Sequence, residues 1–433
     1  MSERVPCQTP DCTATILPAT AAKTGGVCMP CHQQKLAEEH KAYIAQHRRD
    51  VDRYAGVSDP VEILKLMHAP RVYDPLVQEV PYPKSARQLY RQLTVAEQER
   101  MESYAIEQLE QGDEDQAELI LLSLVSFAGA RIERGLEAMY REERYDPGML
   151  YKQVSPAIRD ALISRVEEDT ASRNLLLLAL AWIGDEEIVR LFAGWRQHPP
   201  SWAGQLHVPP ESYAREAGWE LDADGQKRLL FYPESYHFEV DPSERIAGSE
   251  LEEADKVSPP ATALQAGEHH CPWCGSQLSV LLDYWLQAPL LRPLDLPGQR
   301  LRIAACLHCA AYTPVYTRFD WAGGYAWSEF NIAPDPLPTA MPDEAIPRHA
   351  LRLSEQPRDA YDGAWWLLEA PTSKIGGHPT WVQDADYPAC PCCSETMRFI
   401  GQVDLEQADD SEGIYYAFVC SPCQHAAVQY QQS

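Results

Sequence analysis

The chain has 433 residues, a formal net charge of −27 and thirteen cysteines. That length supports two to four domains with a sizeable buried core, and the acidity disfavours nucleic acid or an anionic membrane as a partner. There is no run of about eighteen apolar residues, so no spanning helix is expected, and MSERVPCQTPDC lacks the apolar core of a secretion signal. A cytoplasmic location follows as an expectation. Thiols stay reduced there, so clustered cysteines suggest metal rather than disulfides.

The first such cluster opens the chain. Cys7 and Cys12 (CQTPDC) are followed by Cys28 and Cys31 (CMPC). Two tight turns that each present two thiolates meet the tetrahedral demand of Zn2+. Residues 32–54, without Pro or Gly, then read as a helix. This first domain, residues 1–55, is a four-cysteine zinc ribbon with its helix. It is not acidic: residues 1–53 carry seven Lys+Arg and six Asp+Glu. Lys35, Lys41, Arg48, Arg49 and Arg53 would make a nucleic-acid-binding ribbon the alternative role, which the charge of the whole chain opposes.

Residues 56–214 read as an α-helical domain. SARQLYRQLTVAEQERMESYAIEQLEQGD has helical spacing, and Thr94 followed by Glu97 is a capping-box signature. AELILLSLVSFAG (117–129) and SRNLLLLALAWIG (172–184) repeat at an offset of 55, aligning Phe127 with Trp182 and Gly129 with Gly184. Repeated apolar helices suggest a short HEAT-like stack. Its surface is acidic, with eighteen Asp+Glu against eight Lys+Arg over 97–169. Residues 196–226, rich in Pro, Trp and Gly, mark a change of regime.

Residues 215–433 read as β-rich. Two further clusters lie here: Cys271, Cys274, Cys306 and Cys309 (CPWC, CLHC), and Cys390, Cys393, Cys420 and Cys423 (CPCC, CSPC). The surrounding segments match. CPWCGSQLSVLLDYW aligns with CPCCSETMRFIGQVDL, placing Leu278 on Met397 and Leu281 on Ile400. A duplicated β unit with one zinc knuckle per copy is expected. The alignment also identifies the thirteenth cysteine: Cys392 falls where Trp273 sits and is the spare. His308 and His425 flank the CxxC turns and are assigned surface or outer roles, because four thiolates already fill each shell. His269 and His270 precede Cys271 as part of a loop. An acidic stretch (239–256) and a proline-rich stretch (331–347) read as connections. GAWWLLEA (363–370), with Trp365 and Trp366, reads as a strand. The expected class is thus α+β multidomain, held by three structural Zn2+ sites.

The order GGHPTW (376–381), CPCC, RFIGQVD and YYAFVCSPC resembles the programmed cell death protein 2 family and the related bacterial YwqG-like proteins over 373–430. That resemblance implies protein binding and no catalytic residues. It gives Gly376, Gly377, Pro379 and Trp381 a turn-and-packing role. The resemblance implies either a dedicated chaperone for a basic ribosomal protein, as eukaryotic members look to be, or an immunity (antitoxin) role, since some bacterial relatives sit beside toxin genes; the bacterial-looking composition and the extra HEAT-like segment make immunity the leading expectation. No GxSxG, HExxH, GxxxxGK[ST] or GxGxxG frame is present, so an enzyme is not expected. The expected partner is a basic protein, toxin or ribosomal; no nucleic acid or membrane is expected.

Overall fold

The computed structural model describes residues 4–245, 259–337, 349–368 and 370–432. The acidic stretch beyond Arg245 and the proline-rich stretch beyond Leu337 therefore lie outside the described residues. The chain divides at Leu89–Tyr90 into two compact units.

The first unit opens with an antiparallel pair, β1 (Val5–Pro6) and β2 (Thr15–Ile16), followed by α1 (Pro18–Thr24) and α2 (Met29–His47). The nineteen residues of α2 bury no side chain. The helix is instead braced along its own surface, by Lys35–Glu39 at 3.8 Å, Gln34 donating to Glu38, and Tyr43 stacked on His47. Next come β3 (Arg49–Val51), α3 (Pro60–His68), β4 (Val77–Glu79), parallel to β3, and α4 (Ala86–Tyr90) at the boundary. Asp59 caps α3 by accepting from the Val61 N–H, with Pro60 in the first turn where no N–H is needed.

The second unit begins with six helices: α5 (Val95–Glu110), α6 (Glu114–Phe127), α7 (Glu133–Arg141), α8 (Pro156–Glu168), α9 (Arg173–Ile183) and α10 (Glu186–Gln197). Thr94 and Glu97 close the capping box that their spacing predicts. The two most apolar helices, α6 and α9, occupy the repeated windows. Each is followed by a glycine of positive φ, Gly184 (+49°) at the cap of α9 and Gly129 (+60°) one residue past the cap of α6, a conformation that a Cβ would oppose. Two 3-10 helices, Ala203–Gln205 and Pro210–Ala217, then lead to the short pair β5 (Trp219–Leu221) and β6 (Lys227–Leu229).

The remaining strands are β7 (Ser235–Arg245), β8 (Ala261–His270), β9 (Gln277–Trp285), β10 (Arg300–Ala305), β11 (Val315–Phe319), β12 (Tyr325–Trp327), β13 (His349–Leu353), β14 (Lys374–Gly376), β15 (Arg398–Asp404), β16 (Ile414–Cys420) and β17 (His425–Gln431), with short helices α11 (Leu307–Ala310) and α12 (Leu405–Asp409) between them. They form an eight-stranded antiparallel sheet of order β12-β11-β17-β16-β15-β14-β7-β13 and a three-stranded one of order β10-β9-β8. Every residue of β16 is buried, and its period-2 alternation explains how. Tyr415, Ala417 and Val419 enter one core, shared with Leu282, Tyr284 and Ile303 of the smaller sheet. Ile414, Tyr416 and Phe418 enter another on the opposite face, with Phe231, Trp381 and Tyr387. The large sheet is therefore covered on both sides.

Within each half, the hairpin after the Cys-Pro-x-Cys turn carries one β-bulge. In β9–β10, Val280 pairs with Ala304 and Leu282 with Ile303, leaving Leu281 over. In β15–β16, Phe399 pairs with Phe418 and Gly401 with Ala417, leaving Ile400 over. The segment 363–368 is turn rather than strand, because Gly363 has φ +67° and only Trp365 bridges a neighbour, Trp381.

Candidate metal centres

All thirteen cysteines are free thiols. Twelve of them gather into the three groups expected from their spacing, with the four sulfurs of each group within 4.8 Å of one another. Individual Sγ···Sγ separations are 3.8 Å for Cys12–Cys28, 3.7 Å for Cys271–Cys309, 3.5 Å for Cys274–Cys306 and 3.8 Å for Cys393–Cys420. A disulfide needs about 2.05 Å. Four thiolates at about 2.3 Å from a tetrahedral Zn2+ stand roughly 3.8 Å apart, so the donor set fits such an ion. Four sulfurs would close the coordination shell and leave no position for water, which is the arrangement of a structural centre.

Each centre has its own local scaffold. In the first, Cys7 follows β1 and Cys28 is the extended residue before α2, its N–H 3.1 Å from the Cys7 sulfur. Only Cys7, Ile16 and Cys28 are buried in the small cluster there. So little apolar surface cannot organise a ribbon by itself, and an ion would supply the missing stabilisation.

The other two centres are built alike. The Cys271 N–H donates to Ser276 O (2.8 Å) and the Gly275 N–H to Cys271 O (2.9 Å); the Cys390 N–H donates to Glu395 O (2.8 Å) and the Ser394 N–H to Cys390 O (2.8 Å). Gly275 and Ser394 share the left-handed conformation, at φ +80° and +64°. Cys271, Cys306 and Cys309 belong to the core on one face of the large sheet, and Cys390 and Cys420 to the core on the other.

Thiols this close cannot all ionise without a cation. The hydrogen bond from Cys306 pulls Cys271 down to about 5, and Cys306 is pushed up in return, chiefly by that same bond. Burial pushes Cys309 and Cys420 up to about 12. Cys7 is lowered to about 6, first by the Thr9 side chain. A dication would reverse these oppositions by favouring every thiolate together.

Cys392 is exposed and outside the four-sulfur group. His425, expected at the surface or in an outer role, is buried, with Nδ1 2.9 Å from Cys423 O. His308 lies edge-on to Tyr312 and His269 to Tyr325, while His270 ends β8 opposite Gln277.

The GGHPTW segment forms a tight junction. Gly376 and Gly377 have φ +60° and +67°, and a Cβ on Gly376 would come within 1.9 Å of Glu234 O. His378 Nε2 lies 2.9 Å from Glu216 O, and the Ala385 N–H donates to Glu216 Oε1 at 2.7 Å. This ties the 3-10 helix Pro210–Ala217 to the loop after β14. Trp381 stacks on Tyr416 at 4.8 Å between ring centres. The junction also borders a cleft of about 700 Å3, lined among others by Trp182, Glu216, Trp366, Trp381 and Asp384. Sequence reading singles out the tryptophans of this cleft but neither acid. Glu216 and Asp384 are 168 positions apart in the chain, and no local pattern joins them.

Among the described residues, no helix is long and apolar enough to cross a membrane. No protein-family model matches the chain, and no solved structure does. Over 443 aligned positions it is 36% identical to the uncharacterized protein YpfL of Salmonella typhimurium, with the whole of both chains covered.

Proposed function

The chain belongs to the same family as that Salmonella protein, and we propose that it is a zinc-stabilised binding protein that neutralises a basic bacterial toxin as its immunity partner. The observation that carries this reading is where the charge lies. Residues 1–89 hold eleven Lys+Arg and ten Asp+Glu, whereas residues 90–433 hold 26 and 54. The entire acidic excess is confined to one unit. Solubility alone does not need that segregation, but electrostatic capture of a basic partner benefits from it.

In this reading α5–α10 form a short HEAT-like stack, and residues 215–433 form a duplicated β unit of the programmed cell death protein 2 and YwqG-like kind. The paired glycine ends of α6 and α9 and the paired bulges at Leu281 and Ile400 support both assignments. Zn2+ in the three cysteine groups holds the scaffold and takes no part in recognition.

The test is an affinity pull-down from native cells at low and moderate salt, with retained proteins identified by mass spectrometry. One basic toxin retained at moderate salt is the expected result. A basic ribosomal protein instead would replace immunity with chaperoning, and retention of nothing at either salt would remove the binder reading altogether.

A further inference from the structure

The cleft beside the GGHPTW junction has walls of two kinds. Four indoles, those of Trp182, Trp365, Trp366 and Trp381, and the phenol of Tyr213 line it. So do three carboxyls, Asp146, Glu216 and Asp384, against one guanidinium, Arg215. Arg215 is already engaged, 3.4 Å from both Glu220 Oε2 and Thr396 Oγ1. Burial holds the lining imidazole of His378 neutral, at about 3.

The geometry points to this cleft as the seat of a cationic side chain, an ammonium or guanidinium carried by a basic peptide segment. Aromatic faces attract such cations through the ring quadrupole, and more strongly where water is thinned out. An anion would meet three carboxyls. A neutral apolar ligand would strip water from them and offer nothing in exchange. The volume of about 700 Å3 suits a side chain and its flanking backbone, not a folded domain.

Glu216 is oriented for the task, because the Ala385 N–H holds one of its oxygens. Burial, with Asp384 nearby, pushes its carboxyl up to about 7, the condition of an acid short of a counter-charge. The inference rests on the binder reading only for the source of the cation.

The test titrates the full-length protein with acetyl-Arg-Arg-Arg-amide, and with acetyl-Glu-Glu-Glu-amide as control, by tryptophan fluorescence and calorimetry. Saturable one-to-one binding of the arginine peptide alone is expected. It should weaken at least tenfold in Glu216→Gln/Asp384→Asn and in Trp366→Ala. It should change less than twofold in Glu107→Gln/Glu110→Gln, which removes two carboxyls from exposed positions on α5. Asp384 and Trp366 are both exposed, so Asp384→Asn and Trp366→Ala keep the assay usable should Glu216→Gln not fold. Equal weakening by both double variants would reduce the effect to net charge and overturn the site, as would absence of saturable binding. Peptide binding at the cleft together with an empty pull-down would sink the protein-partner reading and leave the site standing.

Discussion

Leu281 and Ile400 are each the one unpaired residue of a β-bulge, each lies seven positions after the second cysteine of a Cys-Pro-x-Cys turn, and each is fully buried. A bulge adds local twist and re-aims the strand, and here the same distortion stands at the same distance from each knuckle. Both residues belong to the same core. Truncation to alanine at either position is expected to cost about 2–5 kcal/mol. Urea unfolding of Leu281→Ala and Ile400→Ala checks this. Losses below about 1 kcal/mol at either site would show that the bulge is not supported by packing.

Metal content gives the next expectation. The purified chain should carry three zinc ions by elemental analysis, and Cys12→Ser should carry two. Cys306→Ser should unfold the second unit outright, because a structural zinc site contributes as much as the whole margin of about 5–15 kcal/mol that keeps a domain folded. Cys12→Ser should leave the main thermal transition in place, since its cluster lies wholly in the first unit.

Cys392→Ser is the contrasting case. The side chain is exposed and outside the four-sulfur set, so zinc content should be unchanged and stability should stay within about 0.5 kcal/mol. A lost equivalent of zinc would make Cys392 a ligand.

Glu216 predicts a pH dependence with a definite sign. Its folded carboxyl sits at about 7 against an ordinary value of 4.5, mainly through burial. The folded state therefore holds the proton more tightly than the unfolded one. That contribution is fully present below about pH 4.5 and is lost as pH rises through 7. Glu216→Gln should match wild type near pH 4.5 and exceed it by roughly 2–3 kcal/mol at about pH 8. Denaturant melts at the two pH values decide it, and a gain at acid pH instead would contradict the assignment.

Gly376→Ala tests the junction. A left-handed backbone costs a non-glycine residue about 1–2 kcal/mol, and the added carbon would overlap Glu234 O. A loss above about 2 kcal/mol is expected, read as a lowered melting temperature.

The cysteine clusters were legible because a ligand pair with two residues between is a local, chemically dictated pattern: CPWC and CPCC state their turn outright. Thr94 with Glu97 was legible for the same reason. The sheet order was not. Nothing within Val315–Phe319 says that β11, besides its hairpin with β12, pairs with β17, Val315 opposite Val428. That pairing joins segments more than a hundred positions apart, which no local pattern encodes. The cleft was half legible: its tryptophans stood out by type, but Glu216 and Asp384 acquire meaning only through the Glu216–Ala385 hydrogen bond. Of the surface and outer roles that its place beside a turn left open to His425, the fold gives it the inner one, because β17 lies within the large sheet and takes it inside, against Cys423 O.

In that sheet, β14 to β17 are clasped between β11 on one side and β7 on the other, both contributed by residues that precede the proline-rich connection at 331–347. Each half thus completes hydrogen bonding that the other leaves open. A cut within the connection would leave the halves interlocked like the parts of a hasp. Either half made alone would offer bare strand edges to its own copies and aggregate. The two knuckle-bearing parts stand or fall together.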